Sequence, residues 1–407
     1  MRWLFLALWF GFGLAACDSP SPPEPGADAD AVAPPAETSL RAAAATVDIT
    51  PAPGVEIIGY GRRESTAVRD PLHGGVLVLA AGPDVVAIVT LDLPGVFEWH
   101  VQLIRARVAS ILGTTPERVV VAASHTHSAP MLGDDAWSRD TMEALARAAM
   151  EAKAALTPAW LGFGESEIAF CVNRRLPVDG EVRAAPNPDG PVDPRVRVLR
   201  LARPGGEAIA TVTHAVCHPN LLLGVESTVI SADFPGEARR RLNAPWLFLT
   251  GAAGDVRPHT VDEAGEFRLG NDDDLRVAGR MLADATEAAE TTPIPVIDDP
   301  LASASARLTL TRRDGAPMTI ELSAHRVDGV LLLTIPGEPF VEIALEVERQ
   351  LGRNVVVVGY ANGYADYIVT ADQEPLGGYE VERSLLPASA TAEIVSALVE
   401  LGRAVMR

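Results

Sequence analysis

The sequence predicts an α/β fold in which helices cover mixed β-sheets and a metal site lies at the carboxyl ends of the strands. Three observations carry that expectation. Apolar runs of strand length alternate with longer runs of helical period. Many short runs are apolar at every position, the pattern of strands buried on both faces. Polar, chemistry-bearing residues then follow directly on those runs, where ligands bind in open α/β sheets.

Taken in order, the chain opens with Arg2 and an apolar stretch, residues 3–16, too short for an ordinary membrane span. It ends Leu14-Ala15-Ala16-Cys17, which resembles a bacterial lipoprotein signal with Cys17 as the lipidated residue. An ordinary signal peptide with an incidental cysteine is the alternative. The expected location is the bacterial cell envelope, lipid-anchored to the periplasmic side of the inner membrane or to the outer membrane. Residues 17–41 are rich in Pro, Ala, Asp, Glu and Ser and read as a disordered tether. The folded part then runs over residues 42–407. Strands are predicted at 75–79, 85–91, 119–123, 196–201, 208–216, 246–250, 306–310, 330–335 and 355–360. Helices are predicted at 101–112, 141–156, 275–289, 340–351 and 390–405. Residues 301–335 read as consecutive antiparallel strands, so the sheets are not purely parallel. The Pro/Gly/Asp-rich stretch 176–194 reads as a long loop, and Gly59-Tyr60-Gly61 as a turn. Asn271-Asp272-Asp273-Asp274 reads as a solvated loop and helix start rather than a calcium site.

Composition narrows the function. With 48% hydrophobic residues among 407, a large core can be buried. Acidic residues number 54 against 34 basic ones, a net charge of −20 that argues against a nucleic-acid binder. Lys153, the one lysine, falls in a helical run, which argues against Schiff-base chemistry. Three cysteines are too few for a disulfide scaffold or a four-cysteine zinc site; Cys171 and Cys217 either pair or remain buried thiols. Neither a Gly-x-Ser-x-Gly elbow nor a phosphate-binding loop is present.

Five polar clusters sit at five strand ends. They are Ser124-His125-Thr126-His127, Cys217-His218-Pro219-Asn220, Gly251 to Asp255, Pro336-Gly337-Glu338, and the group Asn362, Tyr364, Asp366 and Tyr367. His125 and His127 are two apart, so on extended backbone they face the same way. With His218 and Glu338 they offer the nitrogen and carboxylate donors of catalytic zinc sites. His214, inside its apolar strand, reads as a core residue. Glu338 has a second reading as the acid that starts a helix, and Asp255 reads as a turn former.

Together these segments resemble the catalytic domain of the neutral/alkaline non-lysosomal ceramidase family. Ala45-Thr46-Val47-Asp48-Ile49-Thr50-Pro51 is similar to its opening strand motif, and Ser124 to Pro130 resembles its His-Thr-His-Ser-Gly-Pro motif. Val172-Asn173-Arg174, His218 with Ser231-Ala232-Asp233, Gly254-Asp255-Val256, Pro336-Gly337-Glu338, the run Asn362 to Thr370, and Tyr379-Glu380 follow in the family's order. The resemblance covers residues 45–390, without the family's C-terminal immunoglobulin-like domain. It implies a zinc amidase that cleaves the N-acyl bond of ceramide. The ligands it implies are His125, His218, Glu338 and Tyr367, and the catalytic groups at the substrate amide are His127, Arg174 and Tyr379. Asp233 falls near the metal. One departure bears on substrate: the family's Gly-Asp-Val-Ser-Pro serine is Arg257 here. Arg257 either contacts an anionic group on a different substrate or turns away into a salt bridge.

The leading expectation is a membrane-tethered zinc amidase acting on ceramide or a related N-acyl lipid. The alternatives are a metal-dependent hydrolase of a non-lipid amide or ester on the same scaffold, and a non-catalytic ligand-binding lipoprotein.

Overall fold

The computed structural model describes residues 38–222, 228–243 and 245–407. The signal segment, Cys17 and nearly all of the expected tether lie outside the described residues. Leu40 is fully buried, and the first strand starts at Arg41.

A first sheet is built from β1 (Arg41–Asp48), β2 (His73–Ala81), β3 (Asp84–Leu91), β4 (Val119–Ala123) and the short β5 (Thr157–Pro158), in the order β4-β3-β2-β1-β5. Only the β3–β4 pairing is parallel. Helices α1 (Glu98–Leu112) and α2 (Ala136–Ala154) cover one face. Asp135 caps α2 by accepting from the Ser138 N–H at 2.9 Å. The unbroken apolar run in β2 now has its reason: Val76 and Val78 pack towards the helices, while Leu77 and Leu79 join a core with the other sheets.

The chain continues through β6 (Trp160–Glu167), β7 (Cys171–Val178), β8 (Glu181–Asn187), β9 (Arg195–Ala202), β10 (Ala208–Ala215), α3 (Asp233–Arg239), β11 (Trp246–Thr250), β12 (Val256–Pro258), α4 (Asp272–Ala288) and β13 (Thr292–Pro293). The second sheet runs β11-β10-β9-β6-β13, with α3 and α4 behind it. A capping box at α4 joins Asn271 and Asp274, so the acidic run begins a helix, as its composition suggests. Strands β8-β7-β12 form a separate three-stranded sheet.

That small sheet corrects the loop expected over 176–194. Residues 171–187 fold as a hairpin turning at Asp179 and Gly180, both in the left-handed region (φ 52° and 90°). Pro186 lies on the edge strand β8, and Pro177 lies beyond residues 171–173, where β7 pairs with β12.

The third sheet, β14 (Leu301–Thr311), β15 (Pro317–Val327), β16 (Val330–Thr334) and β17 (Val355–Val358), is antiparallel up to β16 and parallel between β16 and β17. The expected consecutive antiparallel strands are therefore present. Helices α5 (Val341–Leu351) and α7 (Ser389–Val405) pack on it; the short α6 (Tyr379–Arg383) lies between them in sequence. Leu77, Leu199, Leu201, Leu332 and Val358 belong to one core shared by all three sheets. No helix among the described residues is long and apolar enough to cross a membrane.

Candidate functional site

Each large sheet delivers ligand-type side chains to one place. His125 and His127 follow β4, His218 follows β10, and Glu338 follows β16. His125 has a left-handed backbone (φ 67°), an uncommon conformation for a non-glycine residue. Its Nδ1 lies 2.5 Å from the Pro94 carbonyl oxygen, and the His218 Nδ1 lies 3.1 Å from that of Ala253. An Nδ1–H donated to a carbonyl leaves the lone pair on Nε2. The Nε2 atoms of His125, His127 and His218 then converge, with separations of 3.0 Å (His125–His218), 3.1 Å (His125–His127) and 3.0 Å (His127–His218). Nitrogens bonded to one tetrahedral ion at about 2.0–2.1 Å lie roughly 3.3 Å apart, so the cluster suits a single metal ion. Burial, then the neighbouring His125 ring and Arg174, hold the His127 and His218 imidazoles well below their ordinary pKa, in the neutral form a metal needs.

Gly59 makes room for the His127 ring. A Cβ there would stand 2.5 Å from the His127 Cβ, and φ is 133°. Tyr60 packs its ring 4.9 Å from that of His127.

Glu338 accepts a short hydrogen bond from the Tyr364 hydroxyl on Oε1. Its Oε2 lies 3.2 Å from His125 Nε2 and 3.7 Å from His218 Nε2, and it has no hydrogen-bond donor among the described residues. A buried carboxylate oxygen beside two of the three imidazole nitrogens is a fourth donor of the right kind. Burial pushes the Glu338 pKa up, but the His125 ring, the Tyr364 hydroxyl and Arg174 outweigh it, so the carboxyl titrates below its ordinary range.

Glu338 pairs in parallel register with Tyr367, which places both side chains on one face. The Tyr367 hydroxyl accepts from Arg174 Nη2 at 2.9 Å. Arg174 also donates to the Gly254 carbonyl at 2.6 Å and lies 2.7 Å from Glu380 Oε1. Tyr379, largely exposed, sets its ring 5.9 Å from that of Tyr367. His125, His127, Glu338, Tyr364, Tyr367 and Tyr379 all line one cleft of ≈ 400 Å³. Ile58 and Phe97 form a wall shared with a second cleft of ≈ 460 Å³ that continues along Val55, Met131 and Trp137.

The sequence-predicted residues thus gather with two differences. His127, expected at the substrate amide, has its Nε2 inside the converging histidine group. Arg257 does not line the cleft; it sits on β12 with its guanidinium 4.2 Å from the Phe267 ring centroid. Two tyrosines had no role assigned from sequence. Tyr364 orients Glu338, and Tyr360 stacks on the His125 ring with centroids 4.2 Å apart. Their signal was position in the polar run after β17, where Tyr360, Asn362 and Asp366 all have left-handed backbone. Asp233 accepts the backbone N–H groups of Leu221 and Leu222 and so anchors the segment after His218. Cys171 and Cys217 are disulfide-bonded, which joins β7 to the residue before His218.

No protein-family model and no curated protein sequence matches the chain. Its structure is similar to that of neutral ceramidase from Pseudomonas aeruginosa, with a TM-score of 0.76, 19% identity, and coverage of 91% of this chain and 75% of that one. A structure of ceramidase complexed with C2 gives a TM-score of 0.77 at 18% identity, covering 91% of this chain and 76% of the other. The chain has the neutral ceramidase fold, that of the family its motifs resemble.

Proposed function

We propose that the chain is a zinc-dependent amidase that hydrolyses the N-acyl bond of ceramide or a related N-acyl lipid. The observation that carries this reading is the convergence of three histidine Nε2 atoms with an unpartnered Glu338 Oε2 at the wall of an open cleft. The likeness to structures named as ceramidases supports the amide as the bond cleaved. The paired clefts joined at Ile58 and Phe97 support an acyl chain as one half of the substrate.

His125, His127, His218 and Glu338 are the residues that would hold the ion, with Tyr367 beside them. Zinc held there supplies a water of lowered pKa and polarises the scissile carbonyl. The protein's own groups do the rest. Pro94 and Ala253 carbonyls fix the His125 and His218 tautomers, and Tyr364 holds Glu338 so that Oε2 faces inward. Because the Tyr367 oxygen accepts from Arg174, its own proton is free to point into the cleft. That O–H, backed by the buried Arg174 charge, is the donor for a developing oxyanion, a contribution worth roughly 3 kcal/mol. Tyr379 stands at the opening to contact the amide's flank.

Placement in the cell envelope through a lipidated Cys17 belongs to the same proposal. The Cys171–Cys217 disulfide supports it, since such bonds persist in oxidising compartments. Cys17→Ser is expected to move the protein from the membrane fraction to the soluble fraction.

The test is metal content together with fatty-acid release from N-acyl substrates. About one zinc per chain is expected, with hydrolysis abolished by chelation and restored by zinc. A protein that takes up no zinc on dialysis, or that cleaves no N-acyl amide when loaded, overturns the reading.

A further inference from the structure

One short stretch of chain fixes both the backbone and the ring of His218. Its backbone N–H donates to the Val256 carbonyl at 3.2 Å, and its Nδ1 lies 3.1 Å from the Ala253 carbonyl oxygen. Val256 opens β12, and β12 pairs with the first residues of β7: Pro258 with Cys171, Arg257 with Val172, and Val256 with Asn173. Cys171 is disulfide-bonded to Cys217, the residue before His218. The restraints therefore close into a ring, from His218 to Val256, across the ladder to Cys171, and through the two sulfurs to Cys217. His127 hangs on the same ring, since its backbone N–H donates to the Pro219 carbonyl at 3.1 Å.

The ring matters because regular structure stops short of the ligand. β10 ends at Ala215, so Cys217, His218 and Pro219 have no strand ladder to hold them. The disulfide is the covalent member of the ring, and it acts on the residue next to a metal-binding nitrogen. Groups that orient ligands in this way set metal affinity, because the donor atoms must meet at one point. Cutting the bond leaves the packing in place. Cys217 lies in the core behind the second sheet with Phe234, Phe248 and Leu275, and Cys171 packs against the same core. As thiols both are small apolar side chains suited to that environment. What is lost is the tie between β7 and the His218 segment.

We propose that the Cys171–Cys217 disulfide is a positioning device for the metal site, and that its reduction weakens metal binding while the domain stays folded. This rests on the metal-binding reading above and adds a redox control to it. Reduction by a dithiol moves two electrons and two protons: the dithiol becomes a disulfide, and Cys171 and Cys217 become thiols. Cys171 is partly exposed and Cys217 fully buried, so the attacking thiolate meets Cys171. Such bonds persist in oxidising compartments, and firm metal binding would be confined to them.

The test measures zinc affinity by competition with a chromophoric chelator. It compares the oxidised protein, the protein reduced with a dithiol that is then removed in the absence of oxygen, and the Cys171→Ala, Cys217→Ala double variant. Near-ultraviolet circular dichroism reads whether each form is folded. The expected result is a zinc dissociation constant about 10–100-fold higher in both altered forms, with the reduced protein returning to the oxidised value on reoxidation. A staple that served only global stability would leave the affinity of the folded protein where it was. Unchanged affinity in either altered form overturns the proposal; weakening in the reduced form alone would belong to competing thiols. If one altered form fails to fold, the other decides. Loss of the fold in both, even with zinc present, makes the bond a global staple and also overturns it. An oxidised protein that binds no zinc overturns the metal reading itself, and this proposal with it.

Discussion

His214 and His218 lie four residues apart, both fully buried, one within β10 and the other just past its end. His214 Nε2 lies 3.0 Å from the Val357 carbonyl oxygen, and its Nδ1 faces Arg197 at 3.4 Å. Arg197 is held in turn by Glu348 at 2.7 Å, Asp193 at 3.1 Å and Glu165 at 3.3 Å. At His218 only Nδ1 is tied to a carbonyl, while Nε2 points at two other imidazole nitrogens. The difference lies in where the free valences go. Around His214 they close on one another and make structure; around His218 they are left converging on a point, which is what a ligand requires.

Removing the convergence gives the largest effect. His125→Ala combined with His218→Ala is expected to lower bound zinc from about one per chain to near zero and to abolish amide hydrolysis, as read by elemental analysis and fatty-acid release. Breaking the closed network should do the reverse. Arg197→Met leaves Glu348 and Asp193 with Arg195 as their remaining cation, and should cost about 3 kcal/mol in urea unfolding while zinc per folded chain is unchanged. A loss of zinc there would mean the two regions are not independent. A smaller effect is expected at Tyr364. Tyr364→Phe frees Glu338 Oε1 and should weaken metal affinity about 10–100-fold, measured by competition with a chelator, with little change in stability of the metal-loaded protein.

The smallest effect is graded with pH. Burial lowers the pKa of His214 and of His325 to about 3. Between the ordinary imidazole value near 6.5 and that of the folded state, the unfolded chain binds more protons. Stability therefore falls as pH drops through this window, by up to about 1.4 kcal/mol per pH unit for each histidine. Among the described residues His325 bonds only to Ser303 and Ser323. His325→Gln should reduce the slope of urea-unfolding free energy against pH between pH 6 and 4 by about one proton, and leave metal binding alone. An unchanged slope would show that His325 is not the group that resists protonation.

Much of this was legible beforehand because the strands are buried on both faces. Runs such as 119–123 and 246–249 are apolar throughout and fall in β4 and β11. The polar residues that interrupt them at their ends had nowhere to go but the sheet edge, and so His125, His218 and Glu338 could be named. The hairpin of β7 and β8 was missed because its Pro, Gly and Asp content resembles a loop; at a sheet edge the ladder does not forbid those residues. Tyr364 was seen but unassigned, since its hydroxyl bond to Glu338 spans 26 residues and depends on how the run after β17 coils. Whether Cys171 and Cys217 pair was open for the same reason: a sequence separation of 46 residues says nothing of the 6.0 Å between their Cα atoms.

Because the histidines come from the first and second sheets and the glutamate from the third, no part of the chain contains a binding site by itself. From His125 to Glu338 the donors are spread over 213 positions, 338 − 125. An ion cannot template early folding here as it does in a compact zinc finger. An ion held there would be captured only after the most distant contacts have formed, and those are the slowest to find one another. Once captured, it would link all three sheets and add its binding energy to the cohesion of the whole domain. Metal occupancy would therefore serve as a proofreading mark, carried by finished molecules and missing from every nascent, truncated or partly unfolded one.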